Sequence, residues 1–113
     1  MNLGIPVWKD KISPVFDTSI KLLLLQIDGQ KEIARTEIDL EGEDIMIRCL
    51  QLQKLKINTL LCGAISRDLF RLLTTANIEV ISWISGPLEK IINSYLNGDL
   101  SFSEYHMPGH RPD

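Results

Sequence analysis

The residues best placed to do chemistry lie in Cys62-Gly63-Ala64-Ile65-Ser66, where a thiol and a hydroxyl flank a small-residue turn. At a strand end that faces a helix amino terminus, a thiol can have a lowered pKa and can ligate a soft metal. A buried, inert cysteine is equally common at such a position. Ser85-Gly86-Pro87 repeats the small-residue pattern, and the loop from Trp8 to Asp17, with Ser13 inside it, follows the first apolar run. Gly63, Ala64 and Gly86 either let a ligand approach the backbone or merely permit tight strand-to-helix turns. Two of these segments open helices, whose first N–H groups favour an anion. His106 and His110 flank Met107-Pro108-Gly109; two imidazoles so spaced could share a metal, or could simply stand in solvent. Cys49 sits on the apolar side of a helical stretch and reads as core.

Other chemistries find less support. No HExxH, CxxC, P-loop or GxGxxG pattern occurs. A phosphatase-type loop needs one residue more than the four that Cys62 and Arg67 enclose. Asp17 and Asp68 lie near the proposed rim, but no acid ends the first, fourth or fifth strand. Ser13 and Ser66 lack histidine–acid partners outside the tail. The residues point to binding, not turnover, so the chain is expected not to be an enzyme; a nuclease reading rests on fold analogy alone.

The elements that must position these residues alternate. Leu3 to Val7 reads as a short buried strand and Ile12 to Thr18 as a loop, since Pro14 removes a donor and pushes Ser13 toward extended geometry. Ser19 to Ile27 lacks period-two alternation, and its leucines also suit a helix. Asp28-Gly29, a type I′ turn signal, followed by the alternating Lys31 to Ile38, decides for a β-hairpin. Asp44 to Lys56 predicts a helix with acid at its start, base at its end, and Ile45, Met46, Cys49, Leu50 and Leu52 on one broad face. Ser66 to Ala76 predicts a second, capped by Ser66 and closed by Asn77. Gly86 caps a third, with Pro87 at its first position and Gly98 at its end. Thr59 to Cys62 and Glu79 to Ile84 are strand-length apolar runs between the helices. Right-handed crossovers then give an α/β layered sheet of about five strands with one antiparallel member. Ligands bind such sheets beyond the carboxyl ends of the parallel strands, where the three segments above would meet.

Composition bounds the rest. With 113 residues, 44% of them hydrophobic, the chain suits one domain over residues 1–100 with a polar tail over 101–113. A net charge of −3 and a pI near 5.3 argue against nucleic-acid or membrane-surface binding. No apolar run approaches membrane-spanning length, and the start lacks a signal-peptide layout. Two cysteines suggest a reducing, cytoplasmic setting, not a disulfide framework. The hairpin edge could pair with a second chain, so a monomer or weak dimer is expected.

Ile5-Pro6-Val7-Trp8, Ile12-Ser13-Pro14-Val15-Phe16-Asp17, Leu61-Cys62-Gly63-Ala64-Ile65-Ser66, Gly86 with the helix ending Tyr95-Leu96-Asn97-Gly98, and Met107-Pro108-Gly109 together carry a resemblance. In order and spacing they resemble the dinitrogenase iron–molybdenum cofactor-binding family over nearly the whole chain. Stand-alone members of that family often end the tail motif in cysteine, where this chain has His110. The resemblance implies a three-layer, ribonuclease-H-like α/β/α fold. It also implies non-covalent binding of an iron–sulfur or iron–molybdenum type cluster, received from and passed to metallocluster donor and acceptor proteins. Ser13, Cys62, Gly63, Ala64, Ser66, Ser85 and Gly86 would form the cofactor site, with Cys62, His106 and His110 as candidate metal ligands. The alternative is a small regulatory module that binds an anion or a partner protein without metal.

Overall fold

The computed structural model describes residues 1–98. The domain limit expected at residue 100 and the tail, with His106 and His110, lie outside the described residues. β1 (Asn2–Trp8), β2 (Lys11–Ile12), β3 (Lys21–Asp28) and β4 (Lys31–Asp39) precede α1 (Ile45–Lys54). They are followed by β5 (Thr59–Leu61), α2 (Arg67–Thr75), β6 (Glu79–Ile81) and α3 (Leu88–Leu96). The sheet runs β4-β3-β1-β5-β6, with the short β2 folded back on β1. β3 is antiparallel to both its neighbours, whereas β1, β5 and β6 are parallel. This is the three-layer α/β arrangement expected, a mixed sheet with one antiparallel strand in its five-strand path. β2, in a stretch read as loop, is an addition to it.

Two apolar layers cover the sheet. Leu3, Ile5 and Val7 of β1 and Leu23 and Leu25 of β3 share one core with Ile91 and Ile92 of α3. Leu22 and Leu60, on the other face, share a core with Cys49 and Leu52 of α1 and Leu69 and Leu73 of α2. β3 therefore buries side chains on both faces, which is why its leucine run shows no period-two alternation.

Several local expectations shift. The hairpin loop is Gly29-Gln30, one residue later than Asp28-Gly29, because Asp28 already pairs with Lys31. Only Gly29 of the two has a positive φ, of 62°, whereas a type I′ turn needs both. β6 ends at Ile81, three residues early; the chain swings out through Trp83 at φ 66° and returns Ile84 to the core. Pro87 is the N-cap of α3, so the helix opens at Leu88.

α1 departs most. Its N-cap Asp44 accepts from the amides of Met46 (2.9 Å) and Ile47 (3.1 Å), and Lys56 lies beyond the helix at φ 57°. The buried face is Arg48, Cys49 and Leu52, while Met46 and Leu50, read as core, are exposed along with Ile47. Arg48 wins an interior place because every arm of its guanidinium finds a carbonyl. Nε donates to Gly42 (2.9 Å), Nη1 to Phe16 (2.8 Å) and Nη2 to Ser19 (2.6 Å). The group also lies 5.5 Å from the centre of the Phe16 ring.

Candidate functional site

β1 and β5 pair only at Leu3 with Thr59 and Gly4 with Leu60, and then part. Since β1 has β3 on its other side, the gap lies at the switch point of the sheet, where open α/β sheets bind ligands. The chain folds its own loop into that gap. The Ser13 amide donates to the Pro6 carbonyl, the Ala64 amide to Pro14 and the Phe16 amide to Ala64, each at 2.8 Å. Gly63 has no side chain because this loop lies on it: a Cβ there would sit 2.5 Å from the Pro14 oxygen and 2.7 Å from the Ser13 oxygen. On the other flank the Ile12 amide donates to Gly86 (3.3 Å) and the Leu88 amide to Asp10 (3.0 Å). The three segments singled out in the sequence therefore do meet, and the first of them laces the other two together.

The predicted site residues divide by role. Ser13 is buried, its hydroxyl 2.7 Å from that of Ser19, which lies 2.6 Å from the Val15 carbonyl. Ser66 caps α2, accepting from the Leu69 amide at 3.3 Å. The Ser66 amide donates to Asp17 Oδ1 at 2.8 Å. Thus α2 already holds an anion at its amino terminus, and that anion belongs to the protein. The sequence placed Asp17 near the rim without this partnership, which joins residues far apart in the chain and follows from no local motif.

Cys62 is fully buried in the core cluster that includes Phe16, Leu60 and Leu69. Its amide donates to Ile81 (2.9 Å) and its carbonyl accepts from Ile84 (3.0 Å), which continues the β5–β6 ladder. Burial, and secondarily the negative charge of Asp17, push its thiol up to about 12. The lowered pKa anticipated for a strand-end thiol is reversed, because Asp17 answers the helix terminus and the sulfur is cut off from water. At neutral pH Cys62 is a sealed, protonated thiol, and a metal would reach it only after the loop above it moved. Cys49 is buried as expected, and burial raises its pKa too.

What stays open is the outer side of the two turns. Ala64, Ile65, Ser85 and Gly86 are half-buried, and Ser66 is exposed. Among the described residues the amides of Ile65, Ser85 and Gly86 donate to no protein acceptor, and Pro87 gives α3 no side-chain cap. The Trp83 amide ties this rim to the Gly63 carbonyl at 2.9 Å. At the end of β1, exposed Trp8 carries the Lys9 ammonium 4.5 Å above its ring. Among the described residues no three His, Cys, Asp or Glu side chains come together as a metal-holding group.

No family model matches the chain, and no curated protein matches it. Solved structures do match. The crystal structure of the protein PH0822 superposes with a TM-score of 0.81 at 18% identity, covering 87% of this chain and 90% of the other. A protein of Methanocaldococcus jannaschii provisionally named a dinitrogenase superposes with a TM-score of 0.73 at 22% identity, covering 88% and 90%. A protein of Thermotoga provisionally named a NifB protein superposes with a TM-score of 0.67 at 17% identity, covering 87% and 89%. Superpositions this good at identities this low show a shared fold and nothing more. Among the described residues no helix is long and apolar enough to cross a membrane.

Proposed function

We propose that this chain is a non-catalytic carrier for a small anionic iron–sulfur or iron–molybdenum type cluster, held at the open rim made by Ala64 to Ser66 and Ser85 to Gly86. The observation that carries this reading is the lacing of both strand-to-helix turns by the Asp10–Phe16 loop, beside which the Ile65, Ser85 and Gly86 amides have no acceptor among the described residues. The provisional names of two fold neighbours, a dinitrogenase and a NifB protein, agree with a cargo of this kind. Since Cys62 is sealed, the hold is non-covalent: backbone N–H groups donate hydrogen bonds to the cluster sulfides, which accept them. Cys62 serves as the floor beneath the rim. Donor and acceptor proteins of the same clusters are the expected partners.

The test is an anaerobic titration of the apo-protein with an iron–sulfur cluster donor and with isolated iron–molybdenum cofactor, read by visible absorbance and by metal retained after gel filtration. The wild type should keep stoichiometric metal with one of the two. Ser85→Asp, which puts a negative charge on the rim without touching the core, should lower retention by about tenfold or more, while Cys62→Ala should keep it. Loss of metal from a folded Cys62→Ala protein would overturn the non-covalent hold. No retention by the wild type would move the assignment to a metal-free binding module.

A further inference from the structure

We infer that the outer face of α1 is an interface through which this chain pairs with a second copy of itself. α1 carries apolar side chains on both of its sides, with Cys49 and Leu52 in the core and three more outside. It buries Arg48 and exposes Met46, Ile47 and Leu50, with 57%, 45% and 53% of their surface open. Three large apolar side chains within little more than one turn form a contiguous patch of the kind that marks an interaction site. Scattered single exposed residues would need no such explanation.

The patch is self-complementary. Met46, Ile47, Leu50 and Lys54 recur at spacings of one, three and four, which places them on one stripe of α1, and Glu43, just before the Asp44 N-cap, stands at the acid end of that stripe. Glu43 and Lys54 are exposed, and among the described residues neither makes an ion pair. Antiparallel crossing of two such stripes about a two-fold axis sets Glu43 of each copy against Lys54 of the other and Ile47 against Leu50. The helix dipoles also oppose favourably in that arrangement. The stripe borders an open groove of about 610 Å³ between α1 and α2, in whose wall Met46 and Leu50 themselves stand with Cys49, Leu72 and Ala76, so that apolar surface continues from the stripe into the groove.

The unpaired edge of β4 is the competing surface for self-association, and it is less suited. Five of its nine residues, Lys31, Glu32, Arg35, Glu37 and Asp39, are charged, a composition that discourages strand pairing. Arg35, at its centre, is already paired with Glu32 (2.6 Å) and Glu89 (2.9 Å).

A patch of three apolar side chains supports a weak dimer, so the test is the mass in solution by sedimentation velocity from about 5 µM to about 500 µM. The wild-type mass should rise from one chain to two across this range. Lys54→Glu and Glu43→Lys, each bringing like charges together twice per dimer, should separately weaken association by about tenfold or more. An equimolar mixture of those two variants restores both opposite-charge pairs and should dimerise again. Leu50→Glu should stay monomeric at every concentration. Lys54 and Leu50 are exposed, so their variants should melt close to the wild type, whereas Glu43 also favours the charge of the buried Arg48, so Glu43→Lys is compared at a temperature where it stays folded. A wild type that is monomeric throughout would overturn the inference. So would a dimer that survives both single charge variants, or a mixture that fails to re-form it.

Discussion

Cys62 keeps its proton because nothing around it offsets the loss of water. Its sulfur lies among apolar side chains, and the nearest charge to act on it, Asp17, is negative. The consequence is a stability that depends on alkaline pH. Below the ordinary thiol value of 9.0 the folded and unfolded chains both keep the proton. Between there and about 12 only the unfolded chain releases it, so folding weakens by up to about 1.4 kcal/mol per pH unit over that window. Denaturant titrations of the wild type and Cys62→Ala at about pH 8 and about pH 10.5 should show the wild type losing more stability than the variant. Parallel losses would mean that the thiol is not sealed. That a cysteine ends the β5 run was legible in the sequence; the direction of its pKa was not. It depends on a carboxylate that reaches Ser66 from a distant loop. Arg48 misled for a related reason, since its burial needs three carbonyls from Gly42, Phe16 and Ser19, which no helical wheel contains.

At the scale of elements, two glycines separate two kinds of constraint. Gly29 has a φ of 62°, and a methyl group added there would meet nothing within 4 Å, so Gly29→Ala faces only backbone strain, about 1 kcal/mol. Gly63 needs no unusual φ, but the Ser13–Pro14 backbone occupies the place of its side chain. Gly63→Ala must displace the loop, and should cost about 2–4 kcal/mol in denaturant titrations. Equal losses at the two positions would show that the loop yields easily and does not lace the turns. The elements themselves were largely legible: strand, hairpin and helices fall close to where periodicity, the Ser66 cap and Asn77 at φ 65° place them. The misses have local causes. The four leucines of β3 gave no alternation because both faces are covered, and β2 was hidden because a two-residue strand has no period. The face of α1 was misassigned because Met46, Ile47 and Leu50 look like core and Arg48 does not.

For the molecule as a whole, the order of elements was enough to predict a mixed sheet with its site at the carboxyl ends of the parallel strands, while the switch point beside β1 emerges only from the strand order of the structure. What it could not show is that the chain fills the β1–β5 gap with its own loop, moving the open side toward β5, β6 and α3. Small residues at Gly63 and Gly86 looked alike in the sequence, yet one packs under backbone and the other, at φ 132°, edges the open rim. The central claim is that a cluster binds on that rim and nowhere else. It is tested most directly by recording amide resonances of the nitrogen-15-labelled protein during anaerobic addition of the cluster that it retains. The account predicts shifted or broadened amides at Ala64 to Ser66, at Trp83 to Gly86 and at Leu88, with α1 and β4 unchanged. Perturbations gathered along the α1–α2 groove, or spread evenly over the sheet, would contradict it.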